Sequence, residues 1–65
     1  MKDERVRRAV ALFIPAMVEA AEGAPRGVRV EFECPICRST AYVVKAVSNG
    51  HHHAFCPGCG INIAQ

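Results

Sequence analysis

The chain has 65 residues, four of them cysteine and none tryptophan, and a formal net charge of +2. A single domain of this size hides little of its unfolded surface, so something besides its apolar core must help hold it together. Its longest apolar stretch is about half the ~20 residues that cross a bilayer, which excludes a membrane-spanning helix. A net charge this small makes no case for a polyanionic partner unless the basic residues cluster.

Residues 3–22 read as an amphipathic helix. Val6, Val10, Phe13, Ile14, Met17 and Ala21 recur at helical spacing and form one apolar stripe, with Glu4, Arg8, Glu19 and Glu22 opposite. Glu4 and Arg8 stand four apart in the favourable order. Asp3 is placed to cap the first turn, and Gly23 followed by Pro25 to end the last. Pro15, on the polar side, removes a backbone donor. It either bends one helix or opens the second of two short ones near Ile14. The basic start, the apolar run Ala9–Val18 and the following alanines outline a secretory signal. Asp3 and Glu4 in the basic part and Pro15 in the apolar part argue against it, so the expected compartment is the cytoplasm.

The stripe has two uses. It can cover a sheet and complete the core, or Val6, Val10, Phe13, Ile14 and Met17 can meet a protein partner or a second copy of the chain. Arg5, Arg7 and Arg8 crowd the positive end of the helix dipole, where they cost some stability. They are candidate phosphate contacts. The alternative is a solvated charge run balanced by Asp3 and Glu4.

Residues 23–27 form a linker. Val28, Val30 and Phe32 then alternate with charged residues, as in a half-buried strand. Residues 40–47 are rich in β formers. Asn49-Gly50 is a hairpin signal because both positions tolerate positive φ. Residues 51–55 return as a strand, with His51, His53 and Phe55 on one face and His52 and Ala54 on the other. Ile61-Asn62-Ile63 alternates again. Residues 28–64 thus read as a small antiparallel sheet in a single α+β domain spanning 1–65.

Two cysteine pairs interrupt that sheet, Cys34-Pro35-Ile36-Cys37 and Cys56-Pro57-Gly58-Cys59, with 18 residues between them. Two cysteines three apart in a tight turn present both sulfurs to one side. Proline fixes φ there, and glycine permits the conformations that the turn needs. Four thiolates can close on one tetrahedral ion, zinc before iron, and leave no position for water, so the site is structural rather than catalytic. Two disulfides are the competing use of the same residues. Amides near Gly58 and Gly60 are candidate donors to the thiolates. Four thiolates and one divalent ion together bring the net charge to zero, which further weakens overall basicity as a sign of nucleic-acid binding.

The run Phe32-Glu33-Cys34-Pro35-Ile36-Cys37 with Phe55-Cys56-Pro57-Gly58-Cys59-Gly60 resembles a zinc ribbon, in which two cysteine knuckles at hairpin ends clamp one zinc. The resemblance covers residues 28–64. It implies a metal site and a fold, and leaves function open among nucleic-acid-associated and interaction modules. The second knuckle is also similar to a rubredoxin knuckle, which implies iron and electron transfer. Arg38 departs from that pattern where glycine is usual, and the aromatic core of such a carrier is missing.

Other candidates are less committed. His51 and His53 could bind metal or phosphate, or simply face solvent at a hairpin end. Arg26, Arg29, Arg38 and Lys45 are further cations. Tyr42 could stack on a base or pack across strands. No set of residues for acid–base or nucleophilic catalysis stands out, so an enzyme is not expected. The leading expectation is a cytoplasmic, nucleic-acid-associated or regulatory binding module. A protein adaptor or homodimer built on the helix, and an iron electron carrier, are the alternatives.

Overall fold

The computed structural model describes residues 2–64, and the side chains of residues 4–64. A helix, α1 (Lys2–Ala21), is followed by four strands: β1 (Arg29–Glu33), β2 (Thr40–Lys45), β3 (His52–Phe55) and β4 (Asn62–Ala64). The strands form one antiparallel sheet in the order β1-β2-β3-β4. The helix packs on one face of the sheet against β1, β2 and β3. This is the expected α+β arrangement.

The stripe on α1 is used within the molecule. Phe13, Met17 and Ala21 are buried to 1% exposure or less. They meet Ala41, Val43 and Ala54 from the inner face of the sheet, together with Cys34 and Cys56. Small side chains at Ala41 and Ala54 let the helix come close. Phe13 also tilts against Phe32, with ring centroids 5.4 Å apart. Each large side chain buried this way contributes about 1.5–3 kcal/mol. Phe13 and Met17 are therefore not available to a partner. Val6, at the free end of the stripe, and Leu12, off it, are the large apolar residues left exposed among the described side chains of the first three turns.

Pro15 lies inside a single continuous helix, so the chain does not split into two. The proline is exposed, as is Ala11 one turn earlier. The carbonyl that Pro15 leaves without a donor thus belongs to an exposed stretch of the helix, where a missing bond costs less than in the core. The helix begins at Lys2, so Asp3 has helical backbone, and its expected capping side chain lies outside the described ones. Gly23 ends the helix with φ of 80°, and the Ala24 N–H donates to the Ala21 carbonyl at 3.0 Å.

Some strand limits differ from expectation. Val28 precedes β1 and is exposed, because the chain turns at Gly27 before pairing begins. His51 precedes β3. Asn49-Gly50 does not make a two-residue turn: positive φ occurs at Gly50 and not at Asn49. The turn is longer, closed by Ala46 N–H to the His51 carbonyl (2.8 Å) and Gly50 N–H to the Ala46 carbonyl (2.8 Å).

That pattern recurs in all three hairpins. Cys34 N–H donates to the Ser39 carbonyl (2.9 Å), and Arg38 N–H to the Cys34 carbonyl (3.0 Å). Cys56 N–H donates to the Ile61 carbonyl (2.9 Å), and Gly60 N–H to the Cys56 carbonyl (2.8 Å). The fifth residue of each turn, Arg38, Gly50 or Gly60, has positive φ. One turn is thus used three times. Successive hairpins of a meander turn at opposite ends of the sheet. The two cysteine turns therefore share one end, and the turn bearing Asn49 and His51 occupies the other.

Candidate metal centre

Each cysteine takes its position from the turn. Cys34 and Cys56 open their turns, directly after β1 and β3, and are buried to 0% and 1% exposure. Cys37 and Cys59 stand three residues on, half-buried and exposed respectively. The turns are neighbours at the same sheet end, so the four sulfurs converge, all within 4.8 Å of one another. No disulfide joins them. Two pairs face each other between the turns: Cys37 Sγ to Cys56 Sγ is 3.4 Å, and Cys34 Sγ to Cys59 Sγ is 3.8 Å. A tetrahedral ion with metal–sulfur bonds of ~2.3 Å needs sulfurs about 3.8 Å apart. The donor set fits one such ion, with small adjustments.

The backbone around the sulfurs follows the turn as well. At Cys37 the backbone N–H of Ser39, then its hydroxyl, then the Cys56 thiol, favour the thiolate and lower the pKa from 9.0 to about 6. At Cys59 the N–H of Ile61 acts in the same sense. Desolvation and the thiols of Cys34, Cys56 and Cys37 outweigh it, and the pKa is pushed up to about 11. One of the four protons is thus held weakly and another strongly. The third turn shows the same local bond without sulfur: Asn49 Oδ1 accepts from His51 N–H at 3.0 Å. In all three turns the side chain of the fourth residue faces the amide two residues on.

The expectation of amide donors near Gly58 and Gly60 is met in part, by the Ile61 amide next to Gly60. Gly60 N–H is spent on the Cys56 carbonyl, and the amides that act on sulfur belong to Ser39 and Ile61. Gly58 has another role. A Cβ there would lie 2.6 Å from Ser39 Oγ, 2.7 Å from Ser39 Cβ and 2.9 Å from Cys37 Sγ. Glycine is what lets the second turn press against the first. Ile36, the matching residue of the first turn, instead borders an open apolar groove of about 380 Å³ with Val6, Val10, Cys59, Ile61 and Ile63.

The remaining candidates do not gather into one patch. Arg5, Arg7 and Arg8 are exposed on the first turns of α1. Val6 beside them lines the groove next to Cys59, so they belong to the cysteine end of the molecule. Arg38, also at that end, donates to Glu33 Oε2 at 2.9 Å, and Arg8 donates to Glu4 at 3.2 Å. Lys45 and His52 are register partners on the helix side of the sheet, half-buried. His51 and His53 are exposed. The histidines lie toward the end of the sheet away from the thiols, and among the described residues the four cysteines are the one cluster with metal-binding spacing. Tyr42 packs across strands, its ring stacked on Phe55 with centroids 5.1 Å apart.

Sequence reading missed Gly58 as a packing residue, Ser39 as a donor to sulfur, and the kinship of the Asn49 turn with the cysteine turns. The signal for the last was present. Asn49-Gly50 stands where Cys59-Gly60 stands, three and four residues after the turn opens. No described helix is long and apolar enough to cross a membrane.

No protein-family model, curated protein or solved structure matches this chain. The likeness to a zinc ribbon therefore rests on the clustered cysteines at the ends of paired hairpins.

Proposed function

We propose that this chain is a non-enzymatic binding module built round one structural zinc, and that its partner is nucleic acid. The observation that carries the metal reading is the convergence of four thiols from two alike turns, at separations suited to a tetrahedral ion. Four thiolates fill the coordination of zinc, so the ion would hold the turns together rather than activate water. Cys34, Cys37, Cys56 and Cys59 would be its ligands. A chain this small gains most of its fold from such an ion, since binding and folding are linked.

The nucleic-acid reading draws on charge distribution. No aspartate or glutamate follows Glu33, so residues 34–65 carry Arg38, Lys45 and three histidines without a carboxylate. The thiolate centre lowers the charge at one sheet end only.

Two measurements test this reading. Metal analysis of untagged protein from its native cells should find one zinc per chain, and stoichiometric iron would replace it with the electron-carrier reading. Gel-shift assays at low salt should show association with nucleic acid that weakens steeply as salt rises. No shift with either DNA or RNA would remove the nucleic-acid part and leave the metal part standing.

A further inference from the structure

The outer face of the sheet, left open by α1, carries a stack that neither the core nor the metal requires. Tyr42 of β2 and Phe55 of β3 are register partners, with rings 28° from parallel. Arg29 of β1 lays its guanidinium over the Tyr42 ring, 4.9 Å from the centroid. Tyr42 is thus flanked by a cation and a ring. Phe55 has a stacking partner on one side and is 40% exposed. The next position across the sheet is Asn62 of β4, the exposed register partner of Phe55. His53, two residues before Phe55, is exposed on the same face.

An aromatic ring with one free face, an amide beside it, and an arginine and an imidazole on the same face suit an unpaired base on a phosphate chain. Charge narrows the path. The outer-face carboxylates, Glu31 and Glu33, both stand on the edge strand β1, and Glu33 is bonded by Arg38. A polyanion crossing β2, β3 and β4 meets none. Glu31 faces the Tyr42 row in register and repels phosphate there, so the chain must run along the row of Arg29, Val44 and His53.

We propose that Phe55 and Asn62, backed by Tyr42 and Arg29, form a stacking slot for an unpaired base of single-stranded nucleic acid, its phosphates passing His53 and Arg29. This rests on the nucleic-acid reading above and names its site. A duplex is a poor occupant, because its base faces are already covered.

The protein carries its own reporter, since Tyr42 is the single tyrosine and tryptophan is absent. The zinc-loaded full chain is titrated at low salt with oligothymidylate and with a duplex of equal length, following tyrosine emission and anisotropy of a labelled strand. Quenching by the single strand and weaker binding of the duplex are expected. Phe55→Leu keeps apolar bulk but loses the π face, and should weaken binding about 5- to 150-fold with metal content and circular dichroism unchanged. Phe55→Tyr should bind like the parent, and Arg29→Gln should lower the salt slope by about 0.7. Parent-like binding by Phe55→Leu overturns the slot while the wider nucleic-acid reading survives. Failure of oligothymidylate, of an oligouridylate of equal length and of the duplex to bind at low salt ends both. Self-association of the parent that Phe55→Leu abolishes, without nucleic-acid binding, overturns the proposal in favour of a second copy on this face.

Discussion

Arg38 and Gly60 hold the same place in two turns built alike. Each follows the second cysteine, and each sends its N–H to the carbonyl of the first, at 3.0 and 2.8 Å. Each takes positive φ, 67° and 80°. For glycine this conformation is free, whereas an L-residue with a side chain loses ~1–2 kcal/mol in it. The first turn therefore carries strain that the second avoids. The ion pair with Glu33 is exposed and screened by solvent, so it offsets little of that strain.

Arg38→Gly should accordingly raise the stability of the metal-loaded protein by about 0.5–1 kcal/mol, and Gly60→Arg should lower it by ~1 kcal/mol. Nothing lies within 4 Å of a Cβ at Gly60, so the second cost is conformational alone. Urea midpoints of the two variants decide the matter. Equal midpoints would show that the turns are not equivalent in solution.

Gly58 fails for a different reason. Its Cβ would collide with Ser39 and with Cys37 Sγ, so Gly58→Ala must push the turns apart at a cost of about 1–3 kcal/mol. Metal affinity should fall with stability. Ser39→Gly removes two of the three colliding atoms, and the pair Gly58→Ala with Ser39→Gly should be less damaging than the two single effects added. A double-mutant cycle on metal competition and urea unfolding measures that coupling, and strict additivity would contradict the contact.

Proton release on metal binding follows from the thiols. Cys37 is lowered to about 6 by the Ser39 amide, the Ser39 hydroxyl and the neighbouring thiols. Cys59 is raised to about 11, desolvation and the other thiols overcoming the Ile61 amide. Near neutral pH, Cys37 is already ionised, and metal must displace the Cys59 proton. Affinity should therefore rise by about tenfold per pH unit for each proton displaced, and fall more steeply below pH 6 as Cys37 also takes up a proton. In metal-free folded protein the two thiols act oppositely. The Cys37 contribution is complete above 9.0 and lost as pH falls through about 6. That of Cys59 is complete below 9.0 and lost as pH rises through about 11. Calorimetric metal titrations in buffers of different ionisation enthalpy count the protons, and a count of zero at pH 7 would refute the assignment.

The helix anchors the sheet through buried side chains rather than through its whole stripe. Phe13→Ala should cost about 3–5 kcal/mol, because it removes the ring that packs on Phe32 and leaves a cavity in the core. Val6→Ala, at 59% exposure, should fall within ~0.5–1 kcal/mol of the parent. Thermal unfolding of the metal-loaded proteins separates the two. Comparable losses would mean that the first turns of α1 are covered in solution.

Much of the site was legible because its signals are local. Cysteine spacing, the prolines after Cys34 and Cys56, and Gly60 after Cys59 describe a turn, and a turn is settled within six residues. The helix was legible from its period, and its end from Gly23. Asn49-Gly50 misled because positive φ was expected at both residues, while the longer turn needs it at the second alone. Arg38 was marked as a departure from the pattern, yet the chain adopts the left-handed conformation there regardless. Hydrogen bonds between Arg38 and Cys34, and between Cys34 and Ser39, close the turn and override the local preference.

By itself, then, the sequence determined the elements, the two cysteine turns and the strand faces, since each depends on residues a few positions apart. Tertiary structure alone decided which surfaces were used up. It spent Phe13 and Met17 on the sheet, pressed Gly58 against Ser39, split the basic candidates between two ends, and left Phe55 open beside Asn62. These outcomes depend on strand order and on which face the helix covers, which bring together residues far apart in the chain, and no local pattern encodes such distances.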